Sequence, residues 1–387
     1  MKYLNFKLIA CLIAITLFYA CSSSDDSNPI NNIPDSGSNP DPEPEEIPFF
    51  YGADLSYVNQ MEDCGITYKN ENNQTEDPFA IFSNSGANLV RVRLWHNPTW
   101  TNYSNYDDVK LTIQRAKSNN MKVLLDFHYS DTWADPDSQE IPAAWASEIN
   151  NTEALGELLY DYTYNTLNNL ASLNLLPDMV QVGNEINGMI LQQGDLVWPI
   201  DWSRNSHLIN KGIQAVRDIS EEKNKEIEVM LHIAQPENGL WWFEQATENG
   251  VTDFDWIGLS YYPIWSEYNL NNLGSALSTL INTYNKQLMI VETAYPFTLD
   301  YADSNNNILG ENALVNGYEA TQQGQLNYLN QLKSIVESSG GKGIVYWEPA
   351  WVSATSNGCQ GSAWENAALF DFDFKATLGM QFYNGSF

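Results

Sequence analysis

Positive charge is scarce in this chain. Eighteen Lys and Arg residues stand against 49 Asp and Glu, a formal charge of −31 over 387 residues. Nucleic acids and anionic polymers need a basic surface, so both are excluded as partners and a neutral substrate is favoured. Cysteine is scarce as well. Cys11 and Cys21 fall in the N-terminal segment, which leaves only Cys64 and Cys359 for the remainder. The N-terminal apolar run, residues 8–20, is too short to span a bilayer comfortably. No solenoid-type repeat and no second linker break the chain after residue 47, which predicts one large domain over 48–387.

The N-terminus reads as a targeting segment. Lys2 and Lys7 precede the apolar run, which ends at Ala20-Cys21 and is followed by Ser22-Ser23-Ser24-Asp25-Asp26. This resembles a bacterial lipoprotein signal over residues 1–20, with Cys21 as the acylated first residue. Phe18 and Tyr19 are bulky for that motif, and an ordinary secreted protein with an incidental cysteine is the other reading. The Ser-rich acidic start resembles a surface-export signal and implies an outer-membrane lipoprotein exposed on the cell surface. Residues 21–47 are Ser, Asn, Asp, Glu and Pro with almost nothing apolar, so they cannot offset their ordering entropy and form a tether.

Aromatic residues are abundant, with 13 Trp and 21 Tyr. Their faces suit the apolar faces of sugars, and a core rich in aromatics accounts for some of them. Eight short apolar segments read as strands: 49–55, 89–95, 122–128, 179–184, 228–233, 256–261, 288–292 and 343–347. Helical periodicity fills the gaps, for instance over 106–119, 155–173, 206–219 and 323–338. Strand and helix alternating eight times predict an α/β fold, a (β/α)8 TIM barrel with long βα loops.

Polar residues gather where these strands end. Residues 181–188 read Gln-Val-Gly-Asn-Glu-Ile-Asn-Gly, placing Asn184 and Glu185 at the end of the fourth strand. The seventh ends in Glu292-Thr293-Ala294-Tyr295-Pro296. Two carboxylates on different strand ends are what retaining or inverting glycoside hydrolysis requires. Asp54 ends the first strand, and Arg91 and Arg93 share one face of the second. One of these two arginines is expected in a barrel-core polar network. His128 follows the third strand, Tyr262 the sixth and Trp347 the eighth.

Four motifs carry a family resemblance: Arg91-Val92-Arg93-Leu94-Trp95, Asp126-Phe127-His128-Tyr129-Ser130-Asp131-Thr132-Trp133-Ala134-Asp135-Pro136, Gly183-Asn184-Glu185 and Tyr346-Trp347-Glu348-Pro349-Ala350-Trp351. Over residues 51–374 the chain resembles glycoside hydrolase family 53, the endo-β-1,4-galactanases that cut pectic galactan side chains. The resemblance implies a retaining barrel glycosidase, with Glu185 as acid/base and Glu292 as nucleophile. It also implies that Asn184 holds the sugar 2-hydroxyl, that Arg91 supports the nucleophile and that Trp347 floors the −1 subsite. Asp54, His128 and Tyr262 complete the expected substrate-binding set.

In that chemistry Glu292 stays ionised beside Arg91 and Tyr262, while the charge of Glu292 raises the pKa of Glu185. No cofactor is required for catalysis, the partner is a polysaccharide, and a monomer is expected. Membrane contact is confined to the lipid anchor. Residues 189–202 match no pattern. Tyr261 and Trp265 are open between positive subsites and core packing.

Asp300, Asp303, Asn305 and Asn307 offer oxygen ligands in a polar loop, which suits Ca²⁺. Bacterial members of the resembled family carry calcium between the seventh and eighth loops. Tyr301 falls where another acidic ligand would help, and a plain solvated loop is the alternative. Cys64 follows the first strand and Cys359 the eighth, which a closed barrel makes neighbours. A disulfide is therefore expected, against two unrelated buried thiols. Two other functions stand beside galactan cleavage. One is a mannanase, xylanase or glucanase of the same clan; the other is a glycan-binding surface lipoprotein, for which an acid/nucleophile pair has no use.

Overall fold

Eight strands run β1 (Phe50–Asp54), β2 (Leu89–Leu94), β3 (Lys122–Phe127), β4 (Met179–Val182), β5 (Glu228–Ala234), β6 (Trp256–Ser260), β7 (Gln287–Thr293) and β8 (Gly343–Tyr346). Each pairs in parallel with the next, and β8 closes on β1 with Phe50 opposite Gly343 and Ala53 opposite Tyr346. This is the expected (β/α)8 barrel. The computed structural model describes residues 47–356 and 359–385. The expected signal peptide, Cys21 and the tether up to residue 46 lie outside the described residues.

Among the described residues eight α-helices cover the barrel: α1 (Val58–Asp63), α2 (Pro78–Ser85), α3 (Tyr106–Ser118), α4 (Thr152–Ser172), α5 (Trp202–Lys223), α6 (Pro236–Glu248), α7 (Leu273–Tyr284) and α8 (Gln322–Ser338). Short polar side chains start several of them. Asp77, Asn105, Asn151, Asp201 and Thr321 each accept hydrogen bonds from the free N–H groups of a first turn. Helix α3 also carries Asp107 and Asp108 in its first turn and Arg115 and Lys117 in its last, matching the helix dipole.

Strand residues divide by period two. Val90, Val92, Val123, Leu125, Val180, Leu231, Ile257 and Ile290 face outward and pack under the helices. Leu89, Leu124, Met179, Met230, Trp256, Met289, Val291 and Val345 face inward and fill the lower barrel. Space there is tight: a Cβ on Gly52 would lie 2.6 Å from Val345 Cγ2. Above this apolar plug the inward positions turn polar, with Arg91 and Arg93, Asp126, Gln181 and His232 all buried. The fold thus seals the barrel below and leaves its chemistry at the strand C-termini.

One irregularity matters to that chemistry. Leu259 pairs with Ile290, but Ser260 pairs with Glu292, so β7 skips a residue. The register with β8 slips over the same stretch, between Ile290 and Thr293. A regular strand with Val291 inward would point Glu292 out toward the helices. The bulge re-aims it into the barrel mouth.

Cys64, just after α1, and Cys359 are joined by a disulfide, with Cα atoms 6.1 Å apart and a sequence separation of 295. The bridge fastens the first βα loop to the eighth across the closing seam. Ser356 Oγ donates to the Cys64 carbonyl at the same place. The Cys359→Ser variant should lose about 2–5 kcal/mol of unfolding free energy. Chemical denaturation with and without reductant measures this, and an unchanged midpoint would show that the bridge adds nothing.

Candidate active site

Arg91 is the centre of the barrel mouth. It is fully buried and uses its whole guanidinium. Nη1 meets Asp54 Oδ2 and Glu292 Oε1, each at 2.8 Å. Nη2 meets Asp126 Oδ2 at 2.8 Å and Asn184 Oδ1 at 2.7 Å, and Nε donates to Gln181 Oε1 at 3.2 Å. Burial opposes its charge, but Asp126, Glu292, Asp54 and Glu185 outweigh that and raise its pKa further. Five strand ends are thereby tied to one cation.

Glu185 sits just past β4. Gly183 turns the chain there with φ 89°, and a Cβ on it would meet Ile186 Cγ2 at 2.5 Å. Glu185 itself has φ 45°, a left-handed backbone that non-glycine residues adopt at a cost of about 1–3 kcal/mol and that recurs at functional sites. One oxygen from Glu185, one from Glu292 and a ring nitrogen of His232 all lie within 4.8 Å of one another. The two carboxyls therefore face each other across the cleft at a short separation, which suits a nucleophile and acid/base pair.

Four carboxylates face a single guanidinium, so the cluster retains a proton. Burial pushes Glu185 up to about 7, against the Ser260 hydroxyl bond that favours its ionised form. Burial also raises Glu292, and the charge of Glu185 adds to that while Arg91 opposes it. Arg91 touches Glu292 and not Glu185, so the negative charge resides on Glu292 and the proton on Glu185. Burial is the largest cause of the raised Glu185 pKa, and repulsion from the Glu292 carboxylate, which is mutual, acts in the same direction. The Tyr262 hydroxyl is 3.5 Å from Glu292 Oε2; burial raises its pKa, so it remains a donor.

His232 and Ser260, which carried no role in the sequence reading, hold Glu185 from below. The Glu185 N–H (3.4 Å) and the Gln181 amide (3.0 Å) point at His232 Nδ1, and Asn184 Oδ1 lies 3.0 Å from the same nitrogen. His232 Nε2 lies 2.9 Å from Ser260 Oγ, and the Ser260 hydroxyl donates to Glu185 Oε1 at 2.5 Å. Burial, aided by Arg91, keeps His232 neutral. A metal ion on Glu185, His232 and Glu292 would sit against the Arg91 guanidinium, so this trio is poorly suited to a cation.

The other expected residues are placed as follows. His128 lines the cleft, with Nε2 3.0 Å from Asp126 Oδ2 and Nδ1 accepting from the Ala134 N–H; burial lowers its pKa and keeps it neutral. Asn184 lines it too, donating to the Ala134 carbonyl at 2.7 Å. Asp54 does not reach the cleft: it is fully buried beneath the floor, engaged by Arg91 and by Ser56 at 2.6 Å. Its expected substrate contact is corrected to a partner of Arg91. Tyr261 is core, bonded to the Tyr268 carbonyl, whereas Trp265 is about half exposed and lines the cleft.

The cleft holds about 760 Å³ and is walled by Trp133, Trp347, Trp351 and Trp364 together with Tyr57 and Tyr262. Trp347 packs edge-on against Trp364 at 4.7 Å. Arg93 is the structural one of the two arginines. It pairs with Glu348 at 2.7 Å and lies under Tyr57, Trp95 and Trp133 at 4.3–5.0 Å. Glu348, Gln181 and Asp126 belong to the same buried network, although the sequence pattern gives them no role. Their signal was a polar residue inside or just after an apolar strand.

Removing the Ser260 hydroxyl takes away a donor to the Glu185 carboxylate. The Ser260→Ala variant should therefore titrate Glu185 above the native value of about 7. Carboxyl ¹³C NMR titration measures this, and an unmoved Glu185 would remove Ser260 from the proton balance.

Comparison with known proteins agrees with this geometry. The family model for glycosyl hydrolase family 53 matches residues 50–383. The chain is 56% identical over 331 residues to an arabinogalactan endo-beta-1,4-galactanase of Cellvibrio japonicus, covering 84% of this chain and 88% of that one. It is 38% identical over 316 residues to an endo-beta-1,4-galactanase of Bacillus subtilis, covering 79% and 70%. The solved family 53 catalytic domain of Ignisphaera aggregans superposes with a TM-score of 0.79 at 32% identity, covering 89% of this chain and 98% of that one. The strand order, the facing carboxyls and these likenesses agree: the chain belongs to glycoside hydrolase family 53.

Proposed function

We propose that this protein is an endo-β-1,4-galactanase acting by retaining double displacement. The observation that carries the reading is the pair of facing carboxyls with Arg91 on one of them only. Glu292 attacks the anomeric carbon while the Glu185 proton passes to the glycosidic oxygen, so the C–O bond to the leaving chain breaks as the glycosyl ester forms. Glu185, now a carboxylate, takes a proton from water. That water attacks the anomeric carbon and releases Glu292. In this reading Asn184 holds the 2-hydroxyl and Trp347 floors the reacting sugar, and both line the cleft. Galactan as substrate rests on the long third- and eighth-strand motifs and on the activities named for the two relatives.

Proton NMR of early products from linear galactan should show the β anomer first; an initial α product would end the retaining reading. Azide should rescue Glu185→Ala with a β-galactosyl azide, and any azide product from Glu292→Ala should be α. The opposite pattern would exchange the two roles. Because Glu185 must carry its proton in the free enzyme, kcat/KM should fall as pH rises through about 7.

We also propose a structural Ca²⁺ in the loop after β7. Asp303 holds the loop together, accepting from Asn305 N–H, the Ser353 hydroxyl and Ser362 N–H at 2.6–2.8 Å. Asn305 donates to the Gln360 carbonyl, tying this loop to the one after β8. Two buried oxygens nearby, Asn307 Oδ1 and Glu365 Oε2, carry no hydrogen bond. Unpaired buried oxygens beside carboxylates fit a hard cation, with Asp300, Asp303, Asn305 and Asn307 as the donor set. Excess chelator should lower the Tm of metal-verified protein, since Ca²⁺ would bind only the folded state. An unchanged Tm would remove calcium from the proposal.

A further inference from the structure

Two indoles lie exposed beside the cleft rather than in it. Trp198 is 56% exposed and Trp241 43% exposed, with ring centroids 6.1 Å apart and planes tilted by 44°. Neither ring lines the catalytic cleft. Each carries a large apolar area that folding normally removes from water, and neighbouring exposed aromatics mark binding surfaces.

Their positions are built into the scaffold. Trp198 lies in residues 183–201, which join β4 to α5, and this loop is strapped down. Gln192 N–H donates to the Gln139 carbonyl and Ile141 N–H to the Gln192 carbonyl, both at 2.7 Å. Arg204 donates to the carbonyls of Ile190 and Leu191 at 2.7 and 2.6 Å, and Gln192 Oε1 accepts from the Val197 N–H. The Trp198 ring lies over Gly188, where a Cβ would be 3.9 Å away, three residues beyond Glu185. Trp241 stands on α6 one turn after Asn238, and Asn238 lines the cleft. Residues at i and i+3 share a helix face, so the cleft wall continues from Asn238 onto Trp241.

The chemistry of the cleft sets which end of a substrate this surface meets. Glu185 gives its proton to the leaving chain, so that chain departs on the side of Glu185. The connections after β4 and β5, which carry Trp198 and Trp241, lie on that side. Glu292 and Trp347 hold the reacting sugar from β7 and β8, across the barrel.

We propose that Trp198 and Trp241 form a stacking platform for the leaving-group portion of a long β-1,4-galactan chain, a binding site beyond the catalytic cleft. The proposal rests on the galactanase reading. The tilt leaves the two rings unstacked on each other, which suits successive sugar rings of a neutral polymer. A chain anchored there and cut at Glu185 is cleaved internally, so the platform favours long substrates over short ones.

The test compares native protein with Trp198→Ala, Trp241→Ala and the double variant on polymeric galactan and on a short aryl β-galactoside oligomer, whose leaving group is too small to reach the platform. The double variant should lose about tenfold in kcat/KM on the polymer, about 1.4 kcal/mol, with the aryl substrate unaffected. Trp→Phe changes should restore most of the loss. Unchanged kinetics on the polymer, or an equal loss on both substrates, would overturn the platform while leaving the galactanase reading intact. A native protein inert on galactan would overturn that reading and the platform with it.

Discussion

One buried cation organises this molecule. Arg91 is out of water at the centre of the barrel mouth, and a lone guanidinium there would be prohibitively unfavourable. Asp54, Asp126 and Glu292 stabilise it directly, and Asn184 and Gln181 take its remaining donors. The dependence is mutual, because each buried carboxylate needs the same cation. Breaking such a network typically costs about 3–5 kcal/mol, since the partner left behind is an uncompensated charge. Strands β1, β2, β3, β4 and β7 are thus held in register at the end where chemistry occurs.

The same constraint separates two chemically identical side chains. Glu185 and Glu292 are both buried glutamates facing one cleft. Glu292 contacts Arg91, whereas Glu185 has a neutral partner, the Ser260 hydroxyl backed by an uncharged His232. Environment alone makes one an anion and the other an acid, as catalysis by an unlike pair requires. His232 contributes by being too buried to protonate: a second cation below Glu185 would draw off its proton.

Around this polar centre the aromatic walls depend on a second buried ion pair. Arg93 and Glu348 sit below Tyr57, Trp95 and Trp133, so the cleft's apolar surface rests on a charged foundation. Glu348 adopts φ 46°, much as Glu185 adopts 45°. The ends of two strands are strained where they present functional or supporting carboxylates. The disulfide from Cys64 to Cys359 ties the loops on this side of the rim, and α6 and the strapped connection after β4 form the opposite side.

The sequence by itself determined the barrel and the identity of the two glutamates. Strands buried on both faces must be almost continuously apolar, so all eight were legible to within a few residues at each end, and Glu185 and Glu292 stood out as carboxylates closing such runs. Motif resemblance added Arg91, Asn184 and Trp347, because a long pattern specifies a site as well as a fold. What escaped the sequence was whatever depends on direction or on partners from distant strands. Period two would have turned Glu292 away from Arg91, and only the slip between β6 and β7 points it inward. Asp54 and His128 both follow or end a strand, yet one lies under the floor and the other faces the cleft. Tyr261 and Tyr262 are adjacent just past β6, yet the first is buried in the core and the second reaches Glu292. His232 and Ser260 lie on different strands and meet Glu185 only once the barrel closes. Tertiary structure decided these points because a side chain's pKa and hydrogen-bond partners belong to the space around it, which strands far apart in sequence assemble.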